Sequence, residues 1–279
     1  MFINKKFDLD TLKKLERKVI NLTEIALEKN ILSGGNDYQK FVIICRKRTG
    51  SNFLVSLLQS HPKIRAFGEV FGDDEQIHWG YPSYSSAKVL QTRKKDPIKF
   101  LDQIVFRDFL KSTKAVGFKL LYQEESNFSK KTVCEYLQRI KNLNVIHLKR
   151  KNILANYVSW QIAKKTDVWI LLKQQNNHKQ TLEIDYEDCL NYFQKTKALE
   201  KEHEIFFVKH SKQTHTLYYE DLVANTEKEI QEIQQFLGLE SLPLTPYTKK
   251  QETRHIKEII TNYDELKEKF EDTPWQTFF

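Results

Sequence analysis

Phe41-Val-Ile-Ile-Cys-Arg-Lys-Arg-Thr-Gly-Ser-Asn-Phe-Leu54 is the stretch on which the fold turns. Phe41 to Cys45 is a short apolar run and reads as a buried strand. Arg46 to Ser51 is a basic turn with one glycine, and from Asn52 to Leu58 the apolar residues take helical spacing. A strand, a glycine turn and a helix start, in that order, gather unbonded backbone N–H groups and the positive helix end at one point. That is an anion site, and Arg46, Lys47 and Arg48 bring three cations to it. The expected ligand is a phosphate or sulfate ester.

On either side of this stretch the chain alternates strand and helix signals. His61 to Gly68 reads as a turn into a short second strand, Ala115-Val-Gly-Phe-Lys-Leu-Leu121 as a third, Asn144-Val-Ile-His-Leu148 as a fourth and His215 to Tyr219 as a fifth. Helices are expected over 8–31, 98–110, 134–140, 153–164, 185–204 and 227–237, the last stopped by Gly238, with a mostly helical tail over 252–270. Residues 72–97 read as a long loop and 206–209 as extended. This alternation predicts one α/β domain over 1–279: a three-layer sandwich with a mainly parallel sheet, core 40–275 and an N-terminal helix over 8–31. Ligands of such sheets sit beyond the carboxyl ends of the strands, where the Arg46 to Ser51 turn falls.

A second constellation is Val145-Ile-His-Leu-Lys-Arg-Lys-Asn-Ile-Leu-Ala-Asn-Tyr-Val-Ser-Trp160. In a P-loop NTPase the corresponding strand usually ends in an Asp that holds magnesium. Here it ends in Lys149-Arg150-Lys151, which repels a metal ion and attracts a phosphate. Ser159 lies eight residues past Lys151, about two helical turns on. The first motif is not a Walker A loop either, because no glycine precedes Gly50 at the right spacing and the cation comes before the glycine. No metal is expected.

Arg48-Thr-Gly-Ser-Asn-Phe-Leu54 resembles instead the 5′-phosphosulfate loop of sulfotransferases, which use 3′-phosphoadenosine 5′-phosphosulfate (PAPS), with Lys47 where that family has proline. Lys151-Asn152 and Ser159 are similar to its 3′-phosphate segment, with Lys151 in place of arginine and Ile153 in place of proline. Tyr218-Tyr-Glu-Asp-Leu222 with Phe236-Leu-Gly-Leu239 resembles a segment common in sulfotransferases, and Lys249-Lys-Gln251 with Thr273-Pro-Trp275 resembles the C-terminal part of bacterial and carbohydrate-type members. The resemblance implies a P-loop NTPase-like nucleotide site. Arg48, Thr49, Gly50, Ser51, Asn52 and Phe53 would take the 5′-phosphosulfate. Lys151 or its neighbour Arg150, with Ser159, would take the 3′-phosphate, and Lys249 and Lys250 would close over it. Arg48 would balance charge on the leaving group. Glu69, in Phe67-Gly-Glu-Val-Phe71, would be the general base, with Lys119 in the same cleft. His61 and His78 are the rival bases. The Tyr218–Leu222 segment is given no chemistry.

The implied activity is sulfuryl transfer to a hydroxyl on a small-molecule or glycan acceptor, with a sugar or glycolipid favoured by Glu69 and the aromatic loop residues Trp79, Tyr81 and Tyr84. A magnesium-dependent nucleotide or nucleoside kinase and a non-catalytic polyanion-binding module are the alternatives. Composition agrees with an anionic ligand. The 279 residues carry 45 Lys and Arg against 37 Asp and Glu, a net charge of +8. The cations are scattered rather than in blocks, which argues against a nucleic-acid partner. Three widely spaced cysteines, Cys45, Cys134 and Cys189, fit neither a disulfide framework nor a zinc site and suit a reducing compartment. With no signal-peptide pattern and no apolar run long enough to span a bilayer, a cytoplasmic protein is expected, a peripheral membrane contact being compatible with it.

Overall fold

The computed structural model describes residues 19, 22–23, 25–27, 29, 31–72, 86–122, 128–169, 180–210, 212–248 and 254–279, the side chains of 128–131 excepted. Its centre is a sheet of five strands: β1 (Gln39–Cys45), β2 (Ile64–Glu69), β3 (Ala115–Leu121), β4 (Leu143–Lys149) and β5 (Gln213–Tyr218). They lie in the order β2-β3-β1-β4-β5, and every neighbouring pair is parallel. β1 is the middle strand, with Cys45 opposite Leu121 on one side and Leu148 on the other. The three-layer parallel α/β architecture expected from the sequence is the one observed.

Alternation along β1 explains the layers. Phe41, Ile43 and Cys45 face one way and Val42 and Ile44 the other, and all five are buried. A strand covered on both faces must read as an unbroken apolar run. The first face packs against α1 (Ser51–Leu58) and a helix near the carboxyl end, Thr226–Phe236, through Leu54, Leu57, Ile230 and Ile233. The second face packs against Pro97–Phe100, Phe128–Arg139 and the end of Tyr186–Lys209 through Phe100, Val133, Leu137 and Phe207. From β1 onward, the α-helices among the described residues are, in chain order, α1, α2 (Ala87–Lys95), α3 (Pro97–Phe100), α4 (Phe128–Arg139), α5 (Ile153–Thr166), α6 (Tyr186–Lys209), α7 (Tyr219–Ala224), α8 (Thr226–Phe236) and α9 (Tyr263–Lys269). A third cluster joins α5, α6 and α9 to the chain end, with Phe193 5.3 Å from Phe270 and 5.5 Å from Trp275 between ring centres. Each fully buried side chain of this size contributes about 1.5–3 kcal/mol. Gly117 is required by close approach, since a Cβ there would lie 2.3 Å from the Phe41 carbonyl oxygen.

Three elements differ from expectation. The helix expected over 98–110 is one α turn, Pro97–Phe100, followed by a π turn, Leu101–Val105. It ends early because Phe109 exchanges both backbone hydrogen bonds with Gly35 (2.8 and 2.9 Å), which draws the following residues out of the helix. Residues 206–209 are not extended but continue α6. Ile205-Phe-Phe-Val208 looks like a strand, yet Ile205 and Val208 are 57% and 70% exposed, and only Phe207 is fully buried, with Phe206 packed partly against the same core. Residues 87–95 of the expected loop form α2, whose start is capped by the Ser86 hydroxyl accepting from Val89 N (3.4 Å). The carboxyl tail contributes a 3-10 turn, Ile256–Glu258, then α9 and a last 3-10 turn, Gln276–Phe278. Most of the helix expected over 8–31 lies outside the described residues, of which 19, 22–23 and 25–27 are helical. Trp79, Tyr81, Tyr84 and His78 lie outside them too.

Candidate active site

The chain leaves the carboxyl end of β1 at Cys45 and turns back into α1 at Ser51. β1 feeds β2 across one side of the sheet, while β3 feeds β4 across the other. The turn therefore sits at the point where strand order reverses. Arg48 (φ +68°) and Gly50 (φ +81°) are both left-handed, which folds the turn tightly. Gly50 caps α1 without any side-chain cap, and the first helical bonds run from Phe53 N and Leu54 N to its carbonyl (2.9 and 3.1 Å). The N–H groups of Gly50, Ser51 and Asn52 thus precede the first intrahelical bond, the arrangement that suits an anion. Thr49 and Ser51 are buried. Thr49 donates to the Arg46 carbonyl (2.9 Å), so its hydroxyl braces the turn. Cys45 is a neutral packing group, because burial raises its thiol pKa. Phe53 is partly buried against the core face of α1.

The β4–α5 junction comes to meet this turn. Arg48 Nε donates to the Ser159 hydroxyl (3.1 Å), and its Nη1 bonds the carbonyl of Trp169. Arg150 Nη1 donates to the Arg48 carbonyl (3.1 Å), and Asn156 Nδ2 to the Lys47 carbonyl (3.1 Å). Arg46 stacks over the Tyr192 ring at 4.1 Å, and Tyr192 in turn hydrogen-bonds Asn156. Burial and the neighbouring Arg150 lower the Arg48 guanidinium to about 10, which still leaves it charged at neutral pH. Burial also lowers Arg150, against the pull of Glu220. Arg48, Arg150 and Ser159 therefore converge. Lys151 does not join them: its ammonium is exposed and paired with Asp221 at 2.5 Å.

A third group closes the arrangement from the other side of β1. Lys119, buried on β3, donates to Asn52 Oδ1 (2.9 Å) and lies 3.3 Å from Glu69 Oε2 at the end of β2. A register shift between Phe67 and Glu69 sets Glu69 directly opposite Lys119. Glu69, Lys119 and Asn52 are thus one chain of contacts reaching the start of α1. His61 sits elsewhere, in the turn between α1 and the first residue of β2, at the amino ends of the strands. Burial lowers its pKa, and its Nδ1 accepts from Lys63 N (3.0 Å). Lys249 and Lys250 lie outside the described residues.

Sequence reasoning passed over Asn156, Tyr192, Tyr219 and Glu220. Tyr219 packs on Gly50, where a Cβ would approach its ring to 2.2 Å, and lies 5.0 Å from the Arg150 guanidinium. The Tyr-Glu-Asp segment was visible, but its apolar flanks gave no sign of where the side chains point. Among the described residues one group could hold a metal ion, His215, Glu229 and Glu232. It lies beneath α8 on the edge strand, away from the turn, and the Lys228 ammonium already sits 3.6 Å from Glu232.

Comparison with known proteins gives the family of the chain. Nodulation protein H of Rhizobium meliloti (strain 1021) is 26% identical over 248 residues, covering 86% of this chain and 95% of that protein. Nodulation protein H of Rhizobium tropici is 24% identical over 247 residues, covering 86% and 93%. A crystal structure of mouse sulfotransferase SULT7A1 complexed with PAP aligns with a TM-score of 0.36 and 13% identity over 81% of this chain and 67% of that one, too loosely to carry an argument. No helix among the described residues is long and apolar enough to cross a membrane. The model of the sulfotransferase family matches residues 40–243, well over half of the chain, and the protein belongs to that family.

Proposed function

We propose that the protein moves a sulfuryl group from PAPS to a hydroxyl of a carbohydrate or glycolipid acceptor, without a metal. The observation that carries this reading is the convergence of Arg48, Arg150 and Ser159 beside the uncapped start of α1, with Glu69 tied through Lys119 to Asn52 on its other side. The donor set is cationic and hydroxylic, which fits a nucleotide bearing two separate phosphates. PAPS supplies the sulfuryl group and leaves as a bisphosphate. The amides of Gly50, Ser51 and Asn52 hold its 5′ end, and Arg48 balances the charge that gathers on the leaving oxygen. Arg150 and Ser159 hold the 3′-phosphate. Glu69 takes the proton of the acceptor hydroxyl, and Lys119 fixes the carboxylate relative to the start of α1. Lys249 and Lys250 are proposed to close over the nucleotide.

The acceptor class rests on the resemblance around Glu69 to carbohydrate-type sulfotransferases. The match of residues 40–243 to the sulfotransferase family supports sulfuryl transfer itself. A cytoplasmic location and a single domain complete the proposal. The test is transfer of label from ³⁵S-PAPS to neutral oligosaccharides, glycolipids and simple phenols, in EDTA. Label should enter the carbohydrate arms and be lost with Glu69→Gln. Label in phenols alone would overturn the acceptor class, and no transfer to any arm, with ATP and magnesium supporting phosphorylation instead, would overturn the reading.

A further inference from the structure

Tyr219 and Glu220 reach both of the turns that form the site. The Glu220 carboxylate accepts from Lys151 N (2.8 Å) and Asn152 N (3.3 Å), and its Oε1 lies 3.6 Å from Arg150 Nε. The Tyr219 ring stands under the Arg150 guanidinium and against Gly50 of the β1–α1 turn. Arg150 is therefore held on three sides: by a carboxylate, by an aromatic face and by the Arg48 carbonyl. Each hold has a distinct physical effect. The carboxylate is the counter-charge that lets two guanidinium groups, those of Arg48 and Arg150, share one pocket. The ring fixes the plane of the guanidinium. The carbonyl fixes its distance from the other turn. An arginine immobilised before the ligand arrives loses little conformational freedom on binding, so more of the charge-assisted interaction appears as affinity.

We infer that Glu220, assisted by Tyr219, is a positioning residue that holds Arg150 toward the second phosphate of the donor and so sets the preference for a nucleotide carrying a 3′-phosphate. This rests on the reading of the site as a PAPS site. Glu220 acts through Arg150 and touches no reacting atom.

Equilibrium binding of adenosine 3′,5′-bisphosphate and of adenosine 5′-monophosphate, in EDTA, tests it in the wild-type protein, Glu220→Gln, Arg150→Ala and the double variant. Wild type should prefer the bisphosphate. Glu220→Gln keeps the shape and an acceptor for Lys151 N but removes the charge. It should cut that preference by about 10- to 100-fold and leave monophosphate affinity unchanged. In the Arg150→Ala background the same substitution should change nothing further. Equal weakening of both nucleotides, an unaltered preference, or the same loss without Arg150 would each overturn the inference. Tyr219→Leu, which keeps bulk against Gly50 but removes the aromatic face, should shift the preference in the same direction by less. It decides the matter if Glu220→Gln does not fold, and an unshifted preference there overturns the inference. A wild-type protein without any preference would instead sink the PAPS reading itself.

Discussion

Gly50→Ala gives the sharpest test of how the site is built, because Gly238→Ala provides an internal control. Both glycines are left-handed, with φ of +81° and +72°. A Cβ at Gly238 meets nothing within 4 Å, so Gly238→Ala measures the backbone cost alone, about 1–2 kcal/mol. At Gly50 the added Cβ falls 2.2 Å from Cδ2 and 2.6 Å from Cε2 of Tyr219. That ring cannot swing freely, because it is stacked on Arg150. The overlap adds about 1–3 kcal/mol. For a domain near this size each kcal/mol lowers the melting midpoint by about 2–4 °C. Thermal unfolding should therefore show Gly50→Ala melting clearly below Gly238→Ala, and isothermal titration should show its affinity for adenosine 3′,5′-bisphosphate reduced while Gly238→Ala binds normally. In a Tyr219→Ala background the excess cost of Gly50→Ala should disappear. Equal midpoints for the two single variants, with unaltered nucleotide affinity, would refute the packing of Tyr219 on the turn.

Arg48→Ala should lower turnover by about a hundredfold or more, with a smaller loss of nucleotide affinity, since the α1 amides remain; steady-state kinetics separates the two. Glu69→Gln should lower turnover by about 10²- to 10⁴-fold and leave bisphosphate binding intact, read by kinetics and calorimetry together. Arg150→Ala should weaken bisphosphate binding far more than Lys151→Ala, because the Lys151 ammonium is exposed to solvent and paired with Asp221. His147 is fully buried and bonded to the Tyr122 hydroxyl. Burial, aided by Lys149 and His203, lowers it to about 3, and Glu204 at 3.9 Å does not offset this. Below pH 6.5 the unfolded chain binds a proton there that the folded protein refuses until about pH 3. Stability should thus fall as pH drops through that window and be unaffected above it, and urea midpoints of His147→Gln should fall less steeply between pH 6.5 and 4.

The parallel sheet was legible because its strands are buried on both faces. Phe41 to Cys45, Ala115 to Leu121 and Asn144 to Leu148 leave no polar side for solvent, and each is followed by a helical pattern. The β1–α1 turn was legible because its chemistry is local: a glycine, hydroxyls and cations within six residues. Local reading failed where distant contacts decide. Phe109 leaves its helix for Gly35, and Phe207 stays helical because the ends of its apolar run, Ile205 and Val208, are exposed and only Phe207 is fully buried. The same limit applied at the site. From sequence Lys151 and Arg150 are equivalent neighbours, and only the folded chain turns one outward to Asp221 and the other inward between Tyr219 and Glu220. His61 looked like a rival base until the topology placed it at the amino ends of the strands.

On the proposed function, one nucleotide with phosphates at its 5′ and 3′ positions lies across Arg48, Arg150 and Ser159 and needs no metal. Isothermal titration with adenosine 3′,5′-bisphosphate in EDTA, set beside ATP with magnesium, tests it most directly. One bisphosphate should bind per chain in EDTA, weakened by Arg150→Ala and by Ser159→Ala, with ATP and magnesium binding much more weakly. Tight binding of ATP that depends on magnesium, with no heat from the bisphosphate, would contradict it.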